Sequence, residues 1–376
     1  MTDVAGAKPA DLAGPGIGTY EEVERVLPDD YRSLLTPRET QRAIFGARRH
    51  IEDGLCRKLG LEMVQVPLIV DAESGVNDML DRDGSRTPVS FRIANDNGVH
   101  PIDAQIVQAA TKWKRVALRQ LGMGPGVGLC TDMRAVRKDY FLDHDHSAYV
   151  DQWDWERTIT AEDRTLETVR RIWSVLRGAQ SYLEQEFPAL VDERYPGLPE
   201  EITFIHAEDL LARYPDLPRK QRETALLQEV PAVFIIGIGW TLDDGYPHEL
   251  RAADYDDWVT PTTTADGQTR HGLNGDILVW NPVTRRRHEL SSMGVRVDAA
   301  SLRQQLELTG QLDWLDLPYH RGIVDGTLPL SIGGGIGQSR TLMLLLHKAH
   351  LGEVSVTVWP QVLKDMCAAR GIHVLE

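Results

Sequence analysis

A chain of 376 residues, 42% hydrophobic and 26% charged, is long enough to bury a large core and has the composition of a water-soluble globular protein. Its net charge of −15 argues against nucleic acid as a main partner, because phosphate binding needs a basic surface and no Lys/Arg block supplies one locally. Cys56, Cys130 and Cys367 are far apart and read as thiols of a reducing cytoplasm, and no run has the pattern of a membrane span or a secretory leader.

Residues 1–34 are rich in Ala, Gly, Pro and Asp around one weak helical stretch, Tyr20–Val26, and are expected to form a loosely attached extension. The rest, 35–376, shows no linker or internal repeat and is expected to be one large domain. Thr36-Pro37-Arg-Glu39 has the form of an N-cap with proline at the first helical position. Ile44, Phe45, Ile51, Leu55 and Leu59 continue it as a helix, Gly60 stops it, and Leu61–Val66 alternates as a strand closed by Pro67.

Residues 68–112 carry turns around a short strand, Pro88–Ile93, and Leu129–Val136 is the next strand, ending at Arg137. A polar loop, Asp139–His146, joins it to a second strand, Ser147–Glu156, so the pair should be an antiparallel hairpin. Strand geometry places Gln152, Asp154 and Glu156 on one face and Trp153 and Trp155 on the other. The polar face either meets solvent or lines a pocket.

An amphipathic helix over 162–186 follows, then a strand at Ile202–Ile205, helices near 207–213 and 219–228, and a buried strand at Ala232–Gly237. Beyond the acidic turn Asp254–Trp258 lie strands at Gly275–Trp280 and His288–Val297, and a helix at Ala299–Thr309. The segment Ser331–Arg340 packs four glycines and an arginine between a short strand pattern, Leu328–Ile332, and an apolar run, Thr341–Leu346. A final helix and strand are expected to close the chain. Gly333–Gly337 superficially resembles a dinucleotide-binding turn, but that motif opens a βαβ unit with an acidic residue about 20 residues on, and too little chain follows.

Arg137, Arg296 and Arg340 end their motif segments, and Asp154, Asp256, Asp276 and Glu289 accompany them. Arginines can clamp phosphates or carboxylates bidentately, and paired carboxylates can hold Mg2+ against phosphate. Such a set suits nucleotidyl transfer, although each residue alone could equally be an ordinary ion pair at a sheet edge.

Five segments, Tyr149–Glu156, Asp254–Trp258, Gly272–Pro282, Glu289–Arg296 and Gly333–Arg340, resemble ammonia-dependent asparagine synthetases over about residues 35–362. That resemblance implies an α+β fold: the antiparallel sheet flanked by helices of the class II aminoacyl-tRNA synthetase catalytic core. The Thr36–Pro67 segment would be a homodimer interface. It also implies adenylation of the aspartate side-chain carboxylate by ATP, then attack by ammonia. Arg137 would hold the α-phosphate, Arg340 the adenine and phosphates over Gly335, and His146 the outer phosphates. Asp276 and Glu289 would face Mg2+, and Lys114, Arg296 and Ser291 the substrate carboxylates. Asp78, Gln152 and Asp154 would take the amino end, and Asp256 the ammonia side. The chain departs from the pattern at Gln108 and Ala109, where His-Ser is usual, and at Trp240, where glycine is usual. A second reading is therefore a paralogue that adenylates another acid or uses another amine.

Overall fold

The computed structural model describes residues 17–78, 86–263 and 267–376. Its centre is an eight-stranded sheet. The strands are β1 (Leu61–Met63), β2 (Gly128–Val136), β3 (Tyr149–Thr158), β4 (Thr203–His206), β5 (Ala232–Ile236), β6 (Asn274–Asn281), β7 (Arg286–Val295) and β8 (Ser331–Gly337). They lie in the order β1-β2-β3-β8-β7-β6-β5-β4. The inner run from β2 to β5 is antiparallel throughout, but the edge strands join parallel, β1 on β2 and β4 on β5. The sheet is thus mixed at its margins, where the expectation was an antiparallel one.

Around it stand α1 (Tyr20–Val26), α2 (Pro37–Leu59), α3 (Thr111–Gln120), α4 (Thr168–Glu186), α5 (Ala207–Arg213), α6 (Arg219–Glu229), α7 (Ala299–Thr309), α8 (Pro318–Val324), α9 (Gln338–Leu345) and α10 (Gln361–Ala369). The α2 signals act as read: Thr36 and Glu39 form a reciprocal capping box, Pro37 opens the helix, and Gly60 ends it at φ 67°. Its buried stripe, including Ile44, Ile51 and Leu55, joins Ile172 and Leu176 of α4 and the β3 indoles Trp153 and Trp155 in the main core. That buried face leaves the polar side chains the middle of the other face, between smaller apolar clusters around Leu278 and Met133. Among the described residues no helix is long and apolar enough to cross a membrane.

Four expectations need correction. Two strands that turn residues obscured, Ile69–Asp71 and Ile102–Ile106, form a small separate sheet with Ser90–Ile93. The strand expected at Leu328–Ile332, ahead of the glycines, lies mainly over them: the glycines are themselves the strand β8. A sequence without side chains can do this because β3 and β7 pair with it on both edges. No strand follows α9 among the described residues, because Val354–Val358 meets no strand edge and leaves Val356 and Val358 exposed.

The fourth concerns the N-terminal segment. Residues 1–16 lie outside the described residues, but 17–34 are docked rather than loose. Val23, Leu27, Tyr31 and Leu35 are buried in the main core. Tyr31 Oη donates to Glu353 at 2.9 Å, and the buried Lys348 ammonium donates to Ser33 at 2.6 Å and Thr40 at 2.9 Å. Leu27→Ala should therefore cost about 2–4 kcal/mol, as for a core leucine, in urea unfolding followed by tryptophan fluorescence. A change near zero would return this segment to the status of a loose arm.

Candidate active site

The polar face of the sheet is built by register. Gln152, Asp154 and Glu156 on β3 stand opposite Gly337, Gly335 and Gly333 on β8, and Gly335 in turn stands opposite Ser292 on β7, which faces Asp276 on β6. The glycines leave the row open. A Cβ on Gly333 would come within 1.9 Å of Glu156 Oε2, and one on Gly335 within 2.6 Å of Gln152 Oε1. Gly335 thus serves by having no side chain.

On this floor lies a buried ion network. Arg296 clamps Glu156 through Nε (3.0 Å) and Nη2 (2.8 Å), and its Nη1 donates to Asp256. Ser331 Oγ donates to Glu156 at 2.6 Å. Arg296 and Lys114 overcome the desolvation of Glu156 and hold its carboxyl below the usual range. Lys114, fully buried on α3, donates to Asp154, to the Trp155 carbonyl (3.0 Å) and to the Gly334 carbonyl (3.3 Å). Its three N–H groups are all spent within the protein, so it fixes Asp154 rather than presenting a free cation.

Two acceptors here are left over. Among the described residues, Asp154 Oδ2 and Asp78 Oδ1 are buried without a hydrogen-bond partner. Asp78 gives its other oxygen to the Thr111 N–H (2.7 Å), and burial pushes both carboxyls upward, with Lys112 and Lys114 opposing at Asp78 and Asp154 respectively. Buried unsatisfied oxygens are costly unless something donates to them.

Asp276 and Glu289 share the polar face because of a β-bulge. The register slips between Ile277 and Leu278, so Ser291 opposes Ile277 and Glu289 opposes Leu278, with Leu290 unpaired. The extra residue restores Glu289 to the face of Ser292 and Asp276. Ser291 is on the opposite side, beside the core residues Ile277 and Ile336, and its hydroxyl donates to the Gly335 carbonyl at 2.9 Å. The expectation that Ser291 meets substrate is therefore corrected: Ser292 is the serine on the site.

Arg251 was missed, since no motif contains it and only its nearness to the acidic turn marks it. It donates to Asp276 (2.7 Å) and Ser292 (2.6 Å) and approaches Asp256 at 3.9 Å. Burial pushes Asp276 up to about 7; Arg251 opposes this, and Glu289 and Glu249 add to it.

Arg340, at the first turn of α9, is part-exposed, with Nε on the Asp145 carbonyl (3.1 Å) and Nη1 3.9 Å from Glu289. Arg137 Nε donates to the Gln108 carbonyl at 3.0 Å, and its guanidinium stands 5.8 Å from the Tyr140 ring centre. His146 lies between Asp143 and Asp145, and its charged form is favoured up to about pH 9; burial and Arg340 oppose this, and the two carboxylates prevail. Trp240 stacks on His271 with centroids 4.0 Å apart. Ala109 is buried beside Gln108.

The site thus has a closed, acid-lined half around Asp78, Asp154 and Arg296, and a more open half around Arg340 and Glu289. A family model described as aspartate-ammonia ligase matches residues 38–371. The chain belongs to the aspartate–ammonia ligase family. The aspartate–ammonia ligase of Bacillus cytotoxicus is 45% identical over 91% of this chain and 99% of its own length. That of Levilactobacillus brevis is 44% identical over 93% and 99%. The fold also matches the asparaginyl-tRNA synthetase of Pyrococcus horikoshii solved with asparaginyl-adenylate, with a TM-score of 0.60 at 14% identity over 85% of this chain and 68% of that one. The class II synthetase-like core of this ligase family is thereby established for the chain.

Steric room on β8 can be tested directly. Gly333→Ala should destabilise the protein by about 1–3 kcal/mol, more than Gly335→Ala, in thermal melts. The first methyl group strikes Glu156 inside the ion network, the second the end of a half-buried glutamine. The reverse order would show that the ion network yields more readily than the glutamine.

Proposed function

We propose that the chain joins aspartate and ammonia at the expense of ATP, through a β-aspartyl adenylate. An oxygen of the side-chain carboxylate attacks the α-phosphorus and pyrophosphate leaves. Ammonia then attacks the acyl carbon, AMP departs with the bonding electrons, and the amide nitrogen loses its extra proton to give asparagine. The observation that carries this reading is the pair of orphaned oxygens, Asp78 Oδ1 and Asp154 Oδ2. An α-ammonium group has three donors and would satisfy both, with Gln152 beside them. The P. horikoshii neighbour, a protein of the same fold solved with asparaginyl-adenylate, supports adenylate chemistry on such a fold.

Each residue then has a task. Arg296 has five N–H groups and gives three to Glu156 and Asp256, leaving two toward the substrate carboxylates. Lys114 keeps Asp154 in place. Arg251 and Arg137 stand toward the α-phosphate and Arg340 toward the adenine and outer phosphates, where preorganised cations count most as charge develops. Asp256 lies on the ammonia side, held by Arg296. Asp276 and Glu289 fit Mg2+ by their chemistry, since they are hard oxygen donors whose mutual repulsion a cation relieves. When bound, the ion supplies positive charge against the phosphate oxygens. The comparisons favour no other acid or amine. We further place the enzyme in the cytoplasm as a homodimer without a nucleic-acid partner; the exposed Phe45 on α2 and Met63 on β1 support a subunit contact there.

Aspartate-dependent ATP–pyrophosphate exchange tests the reading. Arg340→Ala and Arg137→Ala should each lower exchange by about a hundredfold or more, as for loss of a donor to developing charge, with circular dichroism unchanged. Near-normal exchange in either would remove that arginine from the reaction, and no aspartate-dependent exchange in the wild type would sink the proposal.

A pH dependence follows from Asp276. A carboxyl raised to about 7 is mainly neutral below that pH and charged above it, and a protonated acid is a poor ligand. The Mg2+ concentration needed for half-maximal exchange should therefore fall as pH rises from 6 to 8 (about one unit either side of 7), and Glu289→Gln should raise it throughout. A requirement flat in pH and indifferent to Glu289 would place the metal elsewhere.

A further inference from the structure

The loop between β2 and β3 carries Asp143-His144-Asp145-His146, to none of which the proposed reaction gives a task. We propose that Asp143, Asp145 and His146 form a site for a divalent transition-metal ion such as Zn2+, distinct from Asp276 and Glu289, which staples this loop beneath Arg340. The proposal goes beyond the ligase reading and does not depend on it.

One ligand atom from each of the three residues lies within 4.8 Å of the others. His146 Nδ1 stands 3.1 Å from Asp143 Oδ1 and 2.8 Å from Asp145 Oδ1. Ligands held about 2.0–2.2 Å from one ion stand roughly 3.3 Å apart, so a small adjustment would admit it. Both aspartates are buried, which shields the group from the open half of the site.

An ion pair of protonated His146 with the two acids would explain those contacts alone. It does not explain the neighbours. His144, 3% exposed, has an Nδ1 without a hydrogen-bond partner among the described residues, 3.7 Å from Asp143 Oδ1. His350, fully buried and close enough to interact with His144 and Asp145, has an Nε2 without a hydrogen-bond partner among the described residues. Imidazole nitrogen with carboxylate oxygen is the donor set of a borderline ion, not of Mg2+ or Ca2+, which prefer oxygen throughout.

Such an ion would matter to the reaction by position. Asp145 offers its carbonyl to Arg340 Nε at 3.1 Å, and His288, 3.6 Å from Asp145 Oδ2, donates to the Arg340 carbonyl at 2.9 Å. Fixing Asp145 therefore fixes both ends of that arginine.

The test is calorimetric titration of untagged, chelator-treated, ATP-free protein with Zn2+, with elemental analysis of the protein as purified. One saturable Zn2+ per chain is expected. Asp143→Asn and His144→Gln should weaken it by about tenfold or more, the range for changing a ligand or a side chain that orients one, while Glu289→Gln should leave it unchanged. Absence of stoichiometric binding overturns the proposal and leaves a protonated His146 between two acids. So does binding lost in Glu289→Gln but kept in Asp143→Asn, which places the ion with Asp276. If Asp143→Asn does not fold, Co2+ on the wild type decides. Visible absorption of a nitrogen–oxygen ligand field, removed by excess Zn2+ and still present in Glu289→Gln, supports the site; the spectrum of hydrated Co2+ alone overturns it.

Discussion

The clamp of Arg296 on Glu156 is the interaction from which the site is arranged. Two full charges at this depth are tolerable only when every neighbour cooperates, because desolvation costs several kcal/mol per ion and removing one partner strands the other. The partners come from distant parts of the chain: Glu156 on β3, Ser331 at the start of β8, Asp256 in the acidic turn, and Lys114 on α3. Each element can approach only because β8 offers glycine where other strands offer side chains. Packing on one face and charge on the other are thus two results of one strand order, with β8 at its centre.

The same arrangement divides labour across the sheet. Near β3 the carboxylates are closed off, and their spare oxygens are defined by what already binds them. Near β6 and β7 the charges are looser, with Arg340 and Glu289 in reach of solvent and 3.9 Å apart. A rigid half suits recognition of a small amino acid, and a looser half suits a larger polyphosphate that brings its own charge.

How much of this could be read beforehand varied with the kind of signal. The alternation in β3 announced its two faces, because period-2 patterning is a property of the backbone and needs no partner. The α2 caps were legible for the same reason, since they satisfy local donors. The glycine segment was not read as a strand because glycine's freedom is a local property, whereas its pairing depends on β3 and β7, far away in sequence. Residues 17–34 looked like a loose arm because their anchors, Glu353 and Lys348, lie more than 300 positions on. Of the candidate site residues, those in strands carried their direction with them. Ser291 did not, since the bulge that turns it inward has no sequence mark, and Arg251 was invisible because loops have no period.

The unpaired Leu290 has a consequence for how this part of the chain can change over time. Side chains on β7 alternate, so Ser292 and Glu289 reach the same face only because an odd residue intervenes. Deleting Leu290 would erase the bulge and leave Glu289 and Ser292 two positions apart on a regular strand, still on the same face, with Ser291 turned to the core between them. At this point β7 can therefore lose the one extra residue or change by pairs, whereas a single further residue would turn Glu289 toward the core. Sequence comparisons across wider groups sharing this sheet should be aligned by face parity here, not by the fewest gaps.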